Sequence, residues 1–100
     1  DISLAKKIMQ EEALQHALHI DNRTPEAIEK GDDVIVVRVI SFGESSVNLR
    51  AWVWAANQAD AFVMHCDLLE SIKARFDREG IEIPFPYRTV VFKNGLPAEN

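Results

Sequence analysis

The sequence predicts a small α+β domain in which two helices cover one face of an antiparallel or mixed sheet. Three observations favour this class: two amphipathic helical patterns, two strand patterns rich in β-branched and aromatic residues between them, and a short strand pattern near the end. One more strand before Asp1 would extend this α-β-β-α-β order to the ferredoxin-like β-α-β-β-α-β order. We therefore expect a first strand to lie upstream, in a longer protein.

The composition is that of one globular domain. The chain has 100 residues, of which 47% are hydrophobic and 27% are charged, and its net charge is −5; these values are ordinary, and the acidic balance disfavours nucleic-acid binding. A single cysteine, Cys66, excludes an internal disulfide and fits a reducing compartment. No apolar run reaches the roughly 18–20 residues that cross a bilayer. The start at Asp1 indicates a piece of a longer protein.

The first helix is predicted over residues 2–18. Its apolar residues form two stripes, Ile2, Ala5, Met9, Ala13 and Ala17 on one side and Leu4, Ile8, Leu14 and Leu18 on the other. Either the second stripe meets another surface, or a few apolar residues are simply exposed. Residues 19–33 are predicted to form a surface loop with one short helical turn between Thr24 and Gly31.

Residues 34–42 and 47–55 are predicted to form a β-hairpin around a four-residue turn. This register pairs Phe42 with Val47, Ile40 with Leu49, and Val36 with Val53. The expected core face consists of Val34, Val36, Ile40, Phe42, Val47, Leu49, Ala51 and Val53. Arg38 interrupts this face, unless a β-bulge shifts the register. The other face is also apolar, although the outer face of such a hairpin is usually polar.

The last helix is predicted over residues 58–79, with Asn57 as N-cap and Gly80 as a left-handed C-cap. Its expected buried stripe is Phe62, His65, Leu69, Ile72 and Phe76.

Two prolines, Pro84 and Pro86, are predicted to act as a rigid spacer that holds a strand at residues 89–92 away from the body of the domain. A four-residue apolar strand is not stable alone, and an unpaired edge invites pairing with another chain. We therefore divide the chain into an α/β domain (1–88), a strand for pairing between subunits (89–93) and a tail (94–100).

No pattern predicts catalysis, a cofactor or a metal site. His16 and His19 lie three residues apart, and His65, Cys66 and Asp67 are adjacent, but neighbours at consecutive helical positions diverge and cannot converge on one ion. We expect His65 to face the core and His16 to face solvent, and Cys66 to be a small buried side chain.

The candidate functional residues form a contact surface. Trp52 and Trp54 lie on the outer sheet face, where exposed aromatic side chains are typical of protein interfaces. Either another subunit or another part of the same protein covers them. The further interface candidates are Ile35, Val37, Thr89, Val90, Val91 and Phe92.

Five segments in this order carry a family resemblance: GESSVNLR (43–50), VW (53–54), DLLESIK (67–73), GIEIPFP (80–86) and RTV (88–90). Together they resemble the carboxy-terminal α/β domain of the small-conductance mechanosensitive channels, from about Asp1 to Lys93. The loop at residues 19–33 is longer than the resemblance leads us to expect, and His65 and Cys66 stand where other residues are expected.

The resemblance implies a homo-heptamer in the bacterial inner membrane that releases solutes under hypo-osmotic stress. It places this domain on the cytoplasmic side, as a vestibule and assembly domain without catalysis. The segment at residues 89–92 would supply one strand per subunit to a closing β-barrel. The alternative is a stand-alone ferredoxin-like regulatory or ligand-binding domain, which needs a concave pocket with convergent polar groups, and none is visible in the sequence.

Overall fold

The computed structural model describes residues 1–82, 90–93 and 96–98. Its elements are α1 (Ile2–Gln15), β1 (His19–Ile20), α2 (Pro25–Lys30), β2 (Val36–Phe42), β3 (Val47–Ala55), α3 (Gln58–Arg78), β4 (Val90–Lys93) and β5 (Leu96–Ala98). The predicted mixed α+β class is confirmed.

Strand β3 is the centre of the sheet. Along one side it pairs antiparallel with β1 and with β2, and along the other it pairs in parallel with β4, which is followed by an antiparallel β5. Helix α3 therefore connects two parallel neighbours. The ferredoxin-like order places one strand between these two, so that order is not confirmed for this chain.

The expectation that the last strand stands away from the domain is wrong for residues 90–92. Val90, Val91 and Phe92 pair with Trp52, Val53 and Trp54 of β3. The physical reason is that this side of β3 offers unpaired N–H and C=O groups, which a short strand can satisfy. The proline spacer and Thr89 lie outside the described residues.

Helices α1 and α3 pack together and against β3, and this side of the sheet holds the core. The buried apolar residues are Ala5, Ile8, Met9, Ala13, Ile35, Val37, Ala51, Val53, Ala55, Ala61, Met64, Leu68, Ile72 and Phe76. Helix α1 buries a single stripe that combines both predicted ones, and Ile2 and Leu14 are exposed. Exposure of these residues in one chain is compatible with both interpretations, so the role of the second stripe stays a prediction.

Helix α3 is rotated relative to the prediction. The small Ala61 and the long Met64 and Leu68 face the core, whereas Phe62 is 63% exposed and Leu69 is half-buried. His65, Ile72 and Phe76 are buried as predicted. Asn57 caps the helix by accepting a hydrogen bond from the Asp60 N–H at 2.8 Å, and Gly80 adopts the predicted left-handed conformation with φ +75°.

Polar bridges join α1 to α3. Arg75 donates to Glu12 at 2.9 Å and to Glu11 at 3.1 Å, and these hydrogen bonds raise the pKa of the guanidinium above its ordinary value.

The His16 side chain is only 15% exposed, and its Nε2 lies 2.8 Å from Asp67 Oδ2. The expectation that His16 faces solvent is therefore wrong. Because α1 ends at Gln15, the chain turns at His16 and the ring lies against α3.

The loop before β2 contains a short capped helix and an Asp21–Arg23 ion pair. Helix α2 is capped by Thr24, whose hydroxyl accepts from the Ala27 N–H at 3.1 Å, and by Gly31 with φ 82°. Asp21 accepts two hydrogen bonds from the Arg23 guanidinium, at 2.9 and 2.7 Å. These bonds, followed by one from the Arg23 backbone, lower the pKa of Asp21 from 3.8 to about 2.

We expect Leu68→Ala to lower the free energy of unfolding by about 2–5 kcal/mol, because it opens a cavity in the core. Phe62→Ala is the matched control on the same helix, and its effect should stay within about 0.5 kcal/mol because the ring is exposed. Urea denaturation measures both. A larger loss for Phe62→Ala than for Leu68→Ala would show that the rotation of α3 is incorrect.

The Asp21 carboxyl should titrate with a midpoint near pH 2 in a carbon-detected NMR titration. Since its folded pKa lies below the unfolded value, this group stabilises the fold above about pH 4, and the contribution disappears as the pH falls towards 2. Arg23→Gln should move the midpoint back towards 3.8. A midpoint near 3.8 in the unmodified chain would contradict the Asp21–Arg23 geometry.

Candidate assembly surface

A β-bulge at Ile40 decides which side chains β2 presents to each side of the sheet. Val39 pairs with Leu49, but the next pair is Ser41 with Asn48, so β2 contains one extra residue. The predicted Phe42–Val47 pair is confirmed, whereas Val36 lies opposite Trp52 rather than Val53. Because side chains alternate along a strand, one extra residue inverts the faces of everything before it.

This inversion corrects two predicted interface residues. Ile35 is 1% exposed and Val37 is 5% exposed, and both belong to the core beneath the helices. The expectation that they lie on the outer contact face is therefore wrong. Val36, predicted to be in the core, takes the outer position beside Trp52.

The hairpin tip also departs from the prediction. Phe42 is 74% exposed, Ile40 is 40% exposed and Val47 is 37% exposed, although all three were expected in the core. Beneath the tip is a cavity of about 560 Å³. Its apolar lining residues include Ile2, Met9, Leu49, Phe76 and Ile81.

The outer face carries the two predicted tryptophans. Trp52 lies opposite Val36 and Trp54 lies opposite Ile20, and both indole rings are half-buried. In the backbone register, Val90 and Phe92 of β4 are the parallel neighbours of these same two residues. Of the predicted contact residues in the described ranges, the tryptophans and β4 are therefore brought together on adjacent strands.

Two arginines on this face were not predicted as functional residues. Arg38 and Arg50 are directly opposite each other across β2 and β3, and the Arg50 guanidinium carbon lies 5.9 Å from the centre of the Trp52 ring. Like charges in such a pair repel, whereas a cation over an aromatic face is attracted. The only signal in the sequence was that Arg38 interrupted an apolar alternation.

The arginine pair lacks an acidic partner among the described residues. No carboxylate of that part of the chain forms an ion pair with Arg38 or Arg50, and the buried Arg50 Nε has no hydrogen-bond acceptor there. A buried donor without an acceptor is costly. The outer face is therefore cationic and aromatic in the part of the chain that the structure describes.

The remaining chemistry-bearing residues do not converge. Within residues 1–82, 90–93 and 96–98, no group of three or more His, Cys, Asp or Glu side chains could hold a metal ion. Cys66 is a half-buried free thiol. Over the same residues, none of the helices combines the length and the apolar character that a bilayer-crossing helix requires.

Comparison with known proteins gives relatives of one kind. The chain is 35% identical over 88 residues to an uncharacterized MscS family protein of Archaeoglobus fulgidus, a match covering 88% of this chain and 30% of the relative. It is 35% identical over 71 residues to a small-conductance mechanosensitive channel of Helicobacter pylori, covering 71% of this chain and 26% of that protein. A channel of the same name from Edwardsiella ictaluri is 37% identical over 59 residues, or 59% of this chain and 20% of the relative.

No family model and no solved structure matches the chain. The chain spans less than a third of the length of each of these relatives. Their names agree with the resemblance carried by the hairpin and by α3. In sequence, this chain belongs to the MscS family of small-conductance mechanosensitive channels and corresponds to a part of such a protein.

Proposed function

We propose that this chain is a non-catalytic assembly domain of an MscS-family channel that releases solutes under hypo-osmotic stress. The observation that carries this proposal is the 35% identity over 88 residues to an MscS family protein. The fold supports it, because the two long helices cover one face of the sheet and the other face presents tryptophans and arginines. These residue types are enriched at the centres of protein interfaces.

The proposal includes the organisation of the parent protein. The parent is a homo-heptamer in the bacterial inner membrane, and this domain lies on the cytoplasmic side around a vestibule. In the assembled parent, residues 89–93 exchange the pairing of β4 with β3 and β5 for neighbours in other subunits and supply one strand per subunit to a closed barrel. Residues 94–100 form a tail that includes the β5 residues. A ferredoxin-like order in the parent adds a strand between β3 and β4, which are direct neighbours here.

One observation favours the second candidate, a ligand-binding or regulatory domain. The cavity beneath the hairpin tip has a volume of about 560 Å³, within the range of small-molecule sites. Its polar lining comes from exposed or half-buried side chains, Glu44 and Ser45 among them, rather than from buried groups. The channel proposal therefore has the stronger support.

A domain graft tests the proposed function. The segment of the Edwardsiella ictaluri channel that matches this chain is replaced by the chain, and the chimera is expressed in bacteria lacking their own mechanosensitive channels. We expect the chimera to increase survival of a hypo-osmotic downshock and to give tension-activated currents in membrane patches, because the domain supports assembly of the pore.

The matched control for the graft is the same chimera with Leu68→Asp, which places a carboxylate in the core of the grafted domain. This control should lose protection. A correctly inserted chimera that neither protects cells nor conducts would overturn the proposed function.

A further inference from the structure

Helix α2 is a surface element. It has six residues and buries none of them. A helix this short is not stable by itself; its two ends are capped by Thr24 and Gly31, and Arg23 donates to the Asp32 carbonyl on its far side at 2.9 Å. Ala27 and Lys30 line a cleft on the chain surface, whereas Ile28 is 52% exposed.

The exposed side of α2 is acidic and apolar. Glu26 and Glu29 are three residues apart and lie next to each other on the helix surface, with Ile28 flanking Glu29. Both carboxylates are exposed, and neither forms an ion pair within the described part of the chain. The chain therefore presents a short helix with two carboxylates that form no ion pair among the described residues, beside an exposed isoleucine and the exposed Lys30.

The outer sheet face offers the complementary chemistry. Arg38 and Arg50 are two positive charges that form no ion pair among the described residues, and Trp52 supplies an apolar surface beside them. An arginine stacked on an aromatic ring is oriented in advance, and its planar fork matches a carboxylate with two parallel hydrogen bonds. A carboxylate between the two arginines would also remove their mutual repulsion.

The charge pattern determines how two copies can meet. The outer-face residues placed by the strand register are Ile20, Val36, Arg38, Ser41, Asn48, Arg50, Trp52 and Trp54, and none is acidic. Two such faces brought together would oppose four arginines, so this surface is not self-complementary. It therefore contacts a different surface of the next copy, either reciprocally across a two-fold axis or head-to-tail, and head-to-tail contacts build rings when the rotation closes.

We propose that Arg38 and Arg50 form a carboxylate-binding site that receives Glu26 and Glu29 from α2 of a second copy of this chain, with Ile28 against Trp52. This inference rests on the proposed self-assembly and names the two surfaces that meet. It also assigns a role to the loop before β2, which the sequence left without one.

Two charge-reversal variants test the contact by complementation. The patch variant carries R38E and R50E, and the helix variant carries E26K and E29K. Each variant alone should associate at least about tenfold more weakly than the unmodified chain, because every contact then brings like charges together. Sedimentation velocity and NMR chemical shifts at up to millimolar concentration measure association at low salt.

The decisive sample is an equimolar mixture of the two variants. The patch variant retains an intact α2 and the helix variant retains an intact patch, and the two reversed surfaces are again oppositely charged, so the mixture should regain the association of the unmodified chain. The matched controls are R78E and E70K, exposed positions on α3 with the same charge changes, and both should associate like the unmodified chain. Thermal melts confirm that every variant is folded.

Four results would overturn the inference: an unmodified chain that stays monomeric at millimolar concentration, variants that associate normally, a mixture that stays monomeric, or controls as weak as the variants. If both variants changed the NMR chemical shifts by an amount that does not depend on protein concentration, α2 would instead contact the patch of its own chain. None of these results concerns the graft, so the inference can fail while the proposed channel function stands.

Discussion

The β-bulge at Ile40 sets which side chains of β2 face the helices and which face outwards. With regular pairing from the turn, Arg38 would share a face with the buried Ala51, and its guanidinium would enter the core. An unpaired cation in such a place costs several kcal/mol, whereas a bulge leaves one residue out of the ladder. The extra residue turns Arg38 outwards, brings Ile35 and Val37 under the helices, and places two arginines opposite each other.

Local patterns in the sequence predicted the elements well, and packing decided what they could not. The hairpin turn, both main helices and the short α2 lie within a few residues of their expected bounds, because caps and turn residues act locally. The predicted buried side of α3 was wrong because periodicity favoured the large Phe62 over Ala61. The small side chain faces the core instead, and hydrophobicity alone does not contain that information.

The candidate site was predicted in part. Trp52 and Trp54 are on the outer face because β3 is regular, so simple alternation holds along it. Ile35 and Val37 were misplaced because alternation fails across the bulge. The pairing of β4 with β3 joins residues nearly 40 positions apart, and no local pattern specifies such a contact. The arginine pair was missed because only apolar residues were considered as contacts, although Arg38 was the visible irregularity.

The two arginines also bear on whether an apolar or an acidic surface packs over the outer face. Since the chain spans less than a third of its relatives, another segment of the parent or a second subunit could lie over Trp52 and Trp54. An apolar segment would remove Arg38 and Arg50 from water without a counter-charge, at a cost that exceeds the gain from burying the rings. An acidic surface supplies counter-charges and offsets part of that desolvation cost. The proposed contact therefore uses carboxylates, and a chain of net charge −5 has them in excess.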